Sequence, residues 1–187
     1  MSEVAARPET FISVDVETAG SNPVQFSLLS IGACLVDDPD VGFYVELKPL
    51  HQRATAQALE ITGLSLEELT ITGVEPVLAM QRFADWLGEV VPAGHVPVFA
   101  GFNAPFDWMF VDCYFHQFIG DNPFGHSALD IKSYFMGKMM SSWAETSMRH
   151  LSPRYLSGRA LSHNALGDAR DQAELFRAIV ADEGHRT

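Results

Sequence analysis

The sequence predicts an α/β domain built on a mixed central β-sheet, three antiparallel strands followed by parallel ones, flanked by α-helices. Three observations point there. Three β-like segments separated by short turns open the chain, strand and helix patterns alternate after them, and no linker or internal repeat divides the 187 residues. That length suits a single domain with a core of its own.

The elements follow in order. Residues 1–10 (MSEVAARPET) read as a flexible tail. Residues 11–16 (FISVDV) alternate apolar and polar side chains and are rich in β-formers, which predicts a strand. Gly20-Ser21-Asn22-Pro23 breaks the chain. A second strand is expected over 28–36, and the turn Asp37-Asp38-Pro39-Asp40 leads to a third over 42–47, so the three form a meander. Met80, Phe83, Ala84, Leu87 and Val91 recur at helical spacing and predict a helix over 75–91, with Pro76 at a tolerated early position. Val96–Gly101 is a short apolar run read as a buried strand. Ala104–Phe118 reads as the next helix, with Asn103 as its N-cap, Pro105 in its first turn and Gly120-Asp121-Asn122-Pro123 as its stop. A shorter helix is expected over 130–139. The last one, Ala165–Ala181, is expected to bury Leu166, Ala169, Ala173, Phe176 and Val180 along one face. Residues 183–187 read as a second flexible tail, which leaves 11–182 as the domain.

Composition narrows the function. The formal net charge is −12, from 12 Lys and Arg against 24 Asp and Glu. Proteins that grip long duplex DNA carry a basic footprint, so the balance argues against a processive duplex binder. It leaves room for an enzyme that holds a strand end around divalent cations. No apolar run is long enough to span a bilayer, and the N-terminus has no basic region followed by an apolar one, so no signal peptide or membrane partner is expected. Cys34 and Cys113 lie in apolar segments without metal-like spacing and read as free thiols in a reducing cytoplasm. The histidines other than His163 are scattered, which argues against a zinc site.

Three segments carry chemistry. In Asp15-Val16-Glu17 the carboxylates are two apart on a strand and face one side. Such a pair repels itself unless a cation neutralises it, and hard oxygen-seeking ions such as Mg²⁺ or Mn²⁺ are the natural partners. Alone, D-x-E pairs usually lie on a solvated face, but this one sits in an otherwise apolar strand that ends in Thr18-Ala19-Gly20, the kind of loop where α/β sheets bind ligands. Gly101-Phe102-Asn103-Ala104-Pro105-Phe106-Asp107 runs from strand to helix and puts Asp107 in a first turn, where the helix dipole favours an anion. His163-Asn164-Ala165-Leu166-Gly167-Asp168 places a histidine at the entry to the final helix and an acid just over one turn inside it.

D-x-E-T, N-x-x-F-D and H-x-A-x-x-D, in that order, resemble the DEDD superfamily of 3′-to-5′ exonucleases, in its histidine-bearing branch. That branch includes ribonuclease T, oligoribonuclease and the proofreading subunit of bacterial DNA polymerase. The match runs from about Phe11 to Ala178. Leu29-Ser30-Ile31-Gly32-Ala33 is similar to the family's second strand, Ile61-Thr62-Gly63-Leu64 to its loop beside the terminal nucleotide, and Leu129-Asp130-Ile131 to a segment following the second motif. Two positions depart from the pattern. Ser30 stands where relatives often have glutamate, and Phe102 where many have histidine.

The resemblance implies a ribonuclease H-like fold and release of 5′-mononucleotides from a single-stranded RNA or DNA 3′ end by two ions, Mg²⁺ or Mn²⁺, about 3.5–4 Å apart. Asp15 would bridge both ions, Glu17 and Asp168 would complete the first ion's ligands, and Asp107 would hold the second ion, directly or through water. His163 would act as general base, since imidazoles exchange protons near neutrality. Substrate contacts are expected at Thr18, Leu64, Asn103 and Phe106. Between Asp130 and Ala160, Lys132, Lys138, Arg149, Arg154 and Arg159 give a local net charge of +3 beside Trp143, His150 and Tyr155. Arg154 and Arg159 are therefore expected to form a basic rim that guides the strand. The methionine-rich stretch Met136, Met139 and Met140 suits core filling or a homodimer contact. A catalytically silent nucleic-acid-binding or scaffold subunit is the competing class, disfavoured because a scaffold has no need to hold repelling acids together. The short extensions beyond the domain favour a stand-alone enzyme over a polymerase subunit.

Overall fold

A five-stranded sheet, ordered β3-β2-β1-β4-β5, forms the centre of the computed structural model, which describes residues 7–159 and 162–183. β1 (Glu9–Thr18), β2 (Leu28–Leu35) and β3 (Gly42–Glu46) make the expected antiparallel meander. On the other side of β1, β4 (Val96–Gly101) runs parallel to it and β5 (Ala128–Asp130) runs parallel to β4. β1 begins at Glu9, so the last residues of the stretch read as a tail are strand, paired with Val96 and Pro97. Residues 1–6 and 184–187 of the two predicted tails lie outside the described residues.

The alternation in β1 divides the molecule into two layers. Ile12, Val14 and Val16 enter a core built with Met80, Phe83 and Leu87 of α3 (Pro76–Val90) and Phe110, Val111, Tyr114 and Phe115 of α4 (Ala104–Phe118). The opposite face is covered by α5 (Ile131–Met139), α6 (Met148–Tyr155) and α7 (Ala165–Ala181), around Ile131, Phe135, Leu151, Ala169, Ala173 and Phe176. Ser13, Asp15 and Glu17 alternate with the buried aliphatics, which sends the two acids toward the α7 layer.

α7 lies very close to the sheet. A Cβ on Gly32 of β2 would fall 2.1 Å from the Ala165 carbonyl carbon and 2.1 Å from the Leu166 nitrogen, so only glycine lets the helix start rest there. The buried face of α7 differs from the expected one at both ends: Leu166 is only half-buried and Val180 is 48% exposed, while Ala165, Leu175 and Ile179 are buried.

Several elements escape the periodicity argument. α1 (Ala56–Thr62) buries no side chain and α2 (Leu66–Thr72) only Leu69, so neither shows an apolar stripe. Both are held by local capping: the Thr55 and Ser65 side chains accept from the Ala58 and Glu68 N–H groups, and Gly63 ends α1 at φ 66°. α6 carries Pro153 inside it, which reads as a breaker in sequence. A 3-10 turn, Trp143–Thr146, precedes it, closed by a capping box between Ser142 and Glu145.

Candidate active site

The pairing of β1 with β4 extends only to Ser13 and Ala100, so the last residues of β1 project past β4 into a cleft. Asp15 lies across from Gly32, and Glu17 across from the buried Ser30. The Val16 N–H, which has no ladder partner on the β4 side, donates instead to Asp107 Oδ1 at 3.1 Å. That bond ties the second motif to the first.

The strand-to-helix junction is shaped by backbone. Asn103 adopts a left-handed conformation at φ 68° and its side chain makes no capping hydrogen bond, contrary to the N-cap expectation. Asp130 takes over that role. Its Oδ1 accepts from the N–H groups of Asn103 at 3.0 Å and Ala104 at 3.1 Å, while its Oδ2 caps α5 through the Ser133 N–H at 3.0 Å.

The third motif is organised by its acid. Asn164 caps α7 by accepting from the Gly167 N–H at 3.0 Å. Asp168 Oδ1 accepts from the Ser162 N–H at 2.7 Å and Oγ at 2.9 Å, and Oδ2 from the His163 N–H at 3.0 Å. These bonds hold the chain at His163 in a left-handed conformation, φ 54°, with its side chain exposed. Ligand atoms of Glu17, His163 and Asp168 lie within 4.8 Å of one another.

Gln172, one turn beyond Asp168, was not marked by the sequence. Its Nε2 donates to Asp15 Oδ1 at 2.6 Å and its Oε1 accepts from the Phe102 N–H at 2.9 Å.

The electrostatics are those of a site short of positive charge. Burial, followed by the charges of Asp107, Glu17 and Asp168, pushes the Asp15 carboxyl well above the usual range, against the Gln172 bond that lowers it. Burial and then Asp168 raise Glu17 to about 7. Burial also raises Asp107, opposed by the Val16 N–H bond. All the converging acids offer oxygen, so the donor set fits hard divalent cations.

A pH dependence follows. With folded-state pKa values above the unfolded ones, the folded protein binds more protons between about pH 4.5 and 7, and stability falls as pH rises through that window. Without metal, the melting temperature is expected to drop from pH 5 to pH 8, a loss of about 1–3 kcal/mol, and Mg²⁺ at pH 8 is expected to restore it. A melting temperature that rises over this range would contradict the repulsion described.

The predicted substrate residues divide. Thr18 and Phe106 line a cavity of about 420 Å³ with Glu17, Ala58, Ile61 and Thr62. Thr18 Oγ1 is engaged by the Gly20 carbonyl at 2.8 Å. Leu64 packs on the small cluster of Ala19, Phe26, Leu29 and Leu69, while Ile61 and Thr62 from the same segment, here the end of α1, reach the cavity. Arg154 pairs with Asp182 at 2.6 Å and lines a separate cavity with Phe135, Met139 and His150. Arg159 pairs with Asp171 at 2.9 Å and with Glu174, and lines a second cavity of about 410 Å³ with Arg149 and His163.

Comparison with known proteins gives the family and the fold. A family model described as exonuclease, RNase_T, matches residues 12–176. The chain is 48% identical over 171 residues to the 3′-5′ DNA exonuclease Cap18 of Escherichia coli, covering 91% of each. It is 26% identical over 183 residues to a PolC-type DNA polymerase III of Thermotoga petrophila, of which it spans 12%. Among solved structures it superposes on E. coli exonuclease I in complex with a dT13 oligonucleotide, with a TM-score of 0.69, 18% identity and 92% of this chain covered. It spans only 40% of that exonuclease I chain. The nuclease domain of 3′hExo, a DEDDh family member bound to rAMP, gives a TM-score of 0.70 at 11% identity, covering 92% of this chain and 90% of that one. At such identities these two likenesses speak for the fold.

Proposed function

The chain belongs to the exonuclease family RNase_T, as a 3′-to-5′ exonuclease, and from that premise we propose that it is of the histidine-bearing DEDD type and hydrolyses the 3′ end of single-stranded DNA to 5′-mononucleotides. The observation that carries the site is convergence. Asp15 and Glu17 from a strand end, Asp107 from the first turn of α4, and His163 and Asp168 from the start of α7 meet at one end of the sheet. The choice of DNA rests on the 48% identity to a DNA exonuclease.

Divalent ions fit the four acids; two of them, Mg²⁺ or Mn²⁺, would be held by Asp15, Glu17, Asp107 and Asp168, and when bound supply an activated water, neutralisation of the phosphate and help for the leaving oxygen. The residues of the chain do the rest. Exposed His163 accepts the proton of the attacking water on an imidazole nitrogen. Phe106 and Ile61 flank the cavity beside Glu17 and offer apolar surface to the terminal base. Arg149 and Arg159, on the cavity beside His163, face the incoming phosphates. Arg159 does so while bound to Asp171 and Glu174. The unpaired Cys34 and Cys113 suit a reducing cytoplasm. Exposed Met136 and Met140 are the surface a homodimer would use, which sedimentation of the purified protein tests.

Incubation with 5′-labelled single-stranded DNA and RNA of equal sequence, with Mg²⁺ or Mn²⁺, tests the function. The expected result is a ladder shortening from the 3′ end, with DNA degraded at least about tenfold faster than RNA, a margin worth about 1.4 kcal/mol. A ladder on RNA alone would overturn the substrate assignment, and no shortening of either would overturn the activity. Among the described residues no helix is long and apolar enough to cross a membrane.

A further inference from the structure

We propose that Gln172 is the positioning residue that fixes the Asp15 carboxylate for metal binding by clamping it to the strand-to-helix junction at Phe102. The side chain is 1% exposed and both ends of its amide are engaged. The Phe102 N–H is a donor only, so it must face Oε1. This leaves Nε2, and no other atom of the amide, to meet Asp15 Oδ1 at 2.6 Å. The amide orientation is therefore set by the backbone rather than by the acid it serves.

The choice of a neutral donor has a physical reason. A lysine or arginine in this place would hold Asp15 equally well but would cancel part of the charge that attracts a cation. An amide orients the carboxylate and leaves its charge in place. One hydrogen bond on Oδ1 leaves Oδ2 unengaged by protein donors among the described residues. Two other acids on this cleft have their own holders: Val16 for Asp107, and Ser162 with His163 for Asp168. Gln172 does the same for Asp15, and because it lies four residues after Asp168 on the same face of α7, it links all three motifs.

Two substitutions separate this role from plain stability. Gln172→Glu keeps an oxygen to accept from the Phe102 N–H but presents an acceptor to Asp15. Because it adds a carboxylate to acids that already repel one another, the melting temperature at pH 8 without metal is expected to fall and to recover with Mn²⁺, while KM for single-stranded DNA stays within about twofold and kcat falls at least tenfold. Gln172→Met removes both bonds at similar volume. The Mn²⁺ dissociation constant of the DNA-free protein, measured by calorimetry on the folded fraction, is expected to rise at least fivefold. Wild-type kcat in Gln172→Glu, or unchanged Mn²⁺ affinity in a folded Gln172→Met, would overturn the proposal; if Gln172→Met fails to fold, Gln172→Glu decides alone. The inference rests on the metal-dependent exonuclease reading, and the outcomes stay distinct: an inactive wild type removes that reading, whereas an active wild type with indifferent variants removes only the role of Gln172.

Discussion

Asp15→Ala is expected to abolish nucleotide release while making the metal-free protein no less stable. Asp15 is the acid on which the charges of Asp107, Glu17 and Asp168 all act, so it stands at the centre of the cluster. Removing it takes away an oxygen ligand from any ion held there, and the loss in kcat should be at least about 10²–10³-fold, the range for one lost electrostatic stabiliser in an enclosed site. The same substitution relieves like-charge repulsion, which offsets the loss of the Gln172 hydrogen bond. At pH 8 without metal the melting temperature should therefore match or exceed that of wild type, and the stabilisation that Mn²⁺ gives wild type should shrink. Activity and melting curves on one purified preparation settle both points. A variant that still shortens DNA would sink the metal-site assignment, and one that is inactive only because it unfolds would show up in the melt.

His163→Ala separates two roles that geometry leaves side by side. The imidazole lies within 4.8 Å of ligand atoms of Glu17 and Asp168, close enough to be a ligand itself. It is also exposed at the mouth of the site, where a base must be to meet water. The general-base role predicts a fall in kcat of about 10²–10⁴-fold with Mn²⁺ affinity preserved. A ligand role predicts that affinity falls together with kcat. Calorimetric titration of Mn²⁺ into the variant discriminates the two, and a large loss of affinity would move His163 from base to ligand. The left-handed backbone at His163 is held by its own N–H bond to Asp168, which alanine retains, so the loop should survive the change.

The chain's own pattern gave away the long elements and the motifs for the same reason. α7 was expected with its observed bounds because it presents an apolar face to a core, and α4 because its start and stop signals bound it. Asp15, Glu17, Asp107, His163 and Asp168 were legible because short motifs recur at strand ends and helix starts, where backbone geometry limits the possible spacings. α1 and α2 were not, since caps rather than burial hold them. β5 has only three residues, too few to show a period. Gln172 and the capping role of Asp130 escaped because they lie in long-range bonds to main-chain N–H groups at Phe102, Asn103 and Ala104, contacts that no local spacing announces. For Gln172 there was one available signal: a polar residue on the face of α7 that also carries Ala169, Ala173 and Phe176. The ion pairs of Arg154 and Arg159 were not legible for a related reason, because a local count of charge ignores the acids of α7 and of Asp182 that the fold brings alongside.

Main chain touches main chain where the start of α7 meets Gly32, and no side chain intervenes. The gap between the carboxylates of β1 and those of α7 is thereby gauged by the thickness of two backbones, a dimension that sequence drift does not alter. Core side chains on the far face of the sheet are free to be exchanged for others of similar volume without retuning the site. Position 32 alone has no graded alternative: the smallest possible addition, one methyl group, acts as a shim under the helix and sets His163 and Asp168 at a new height above Asp15.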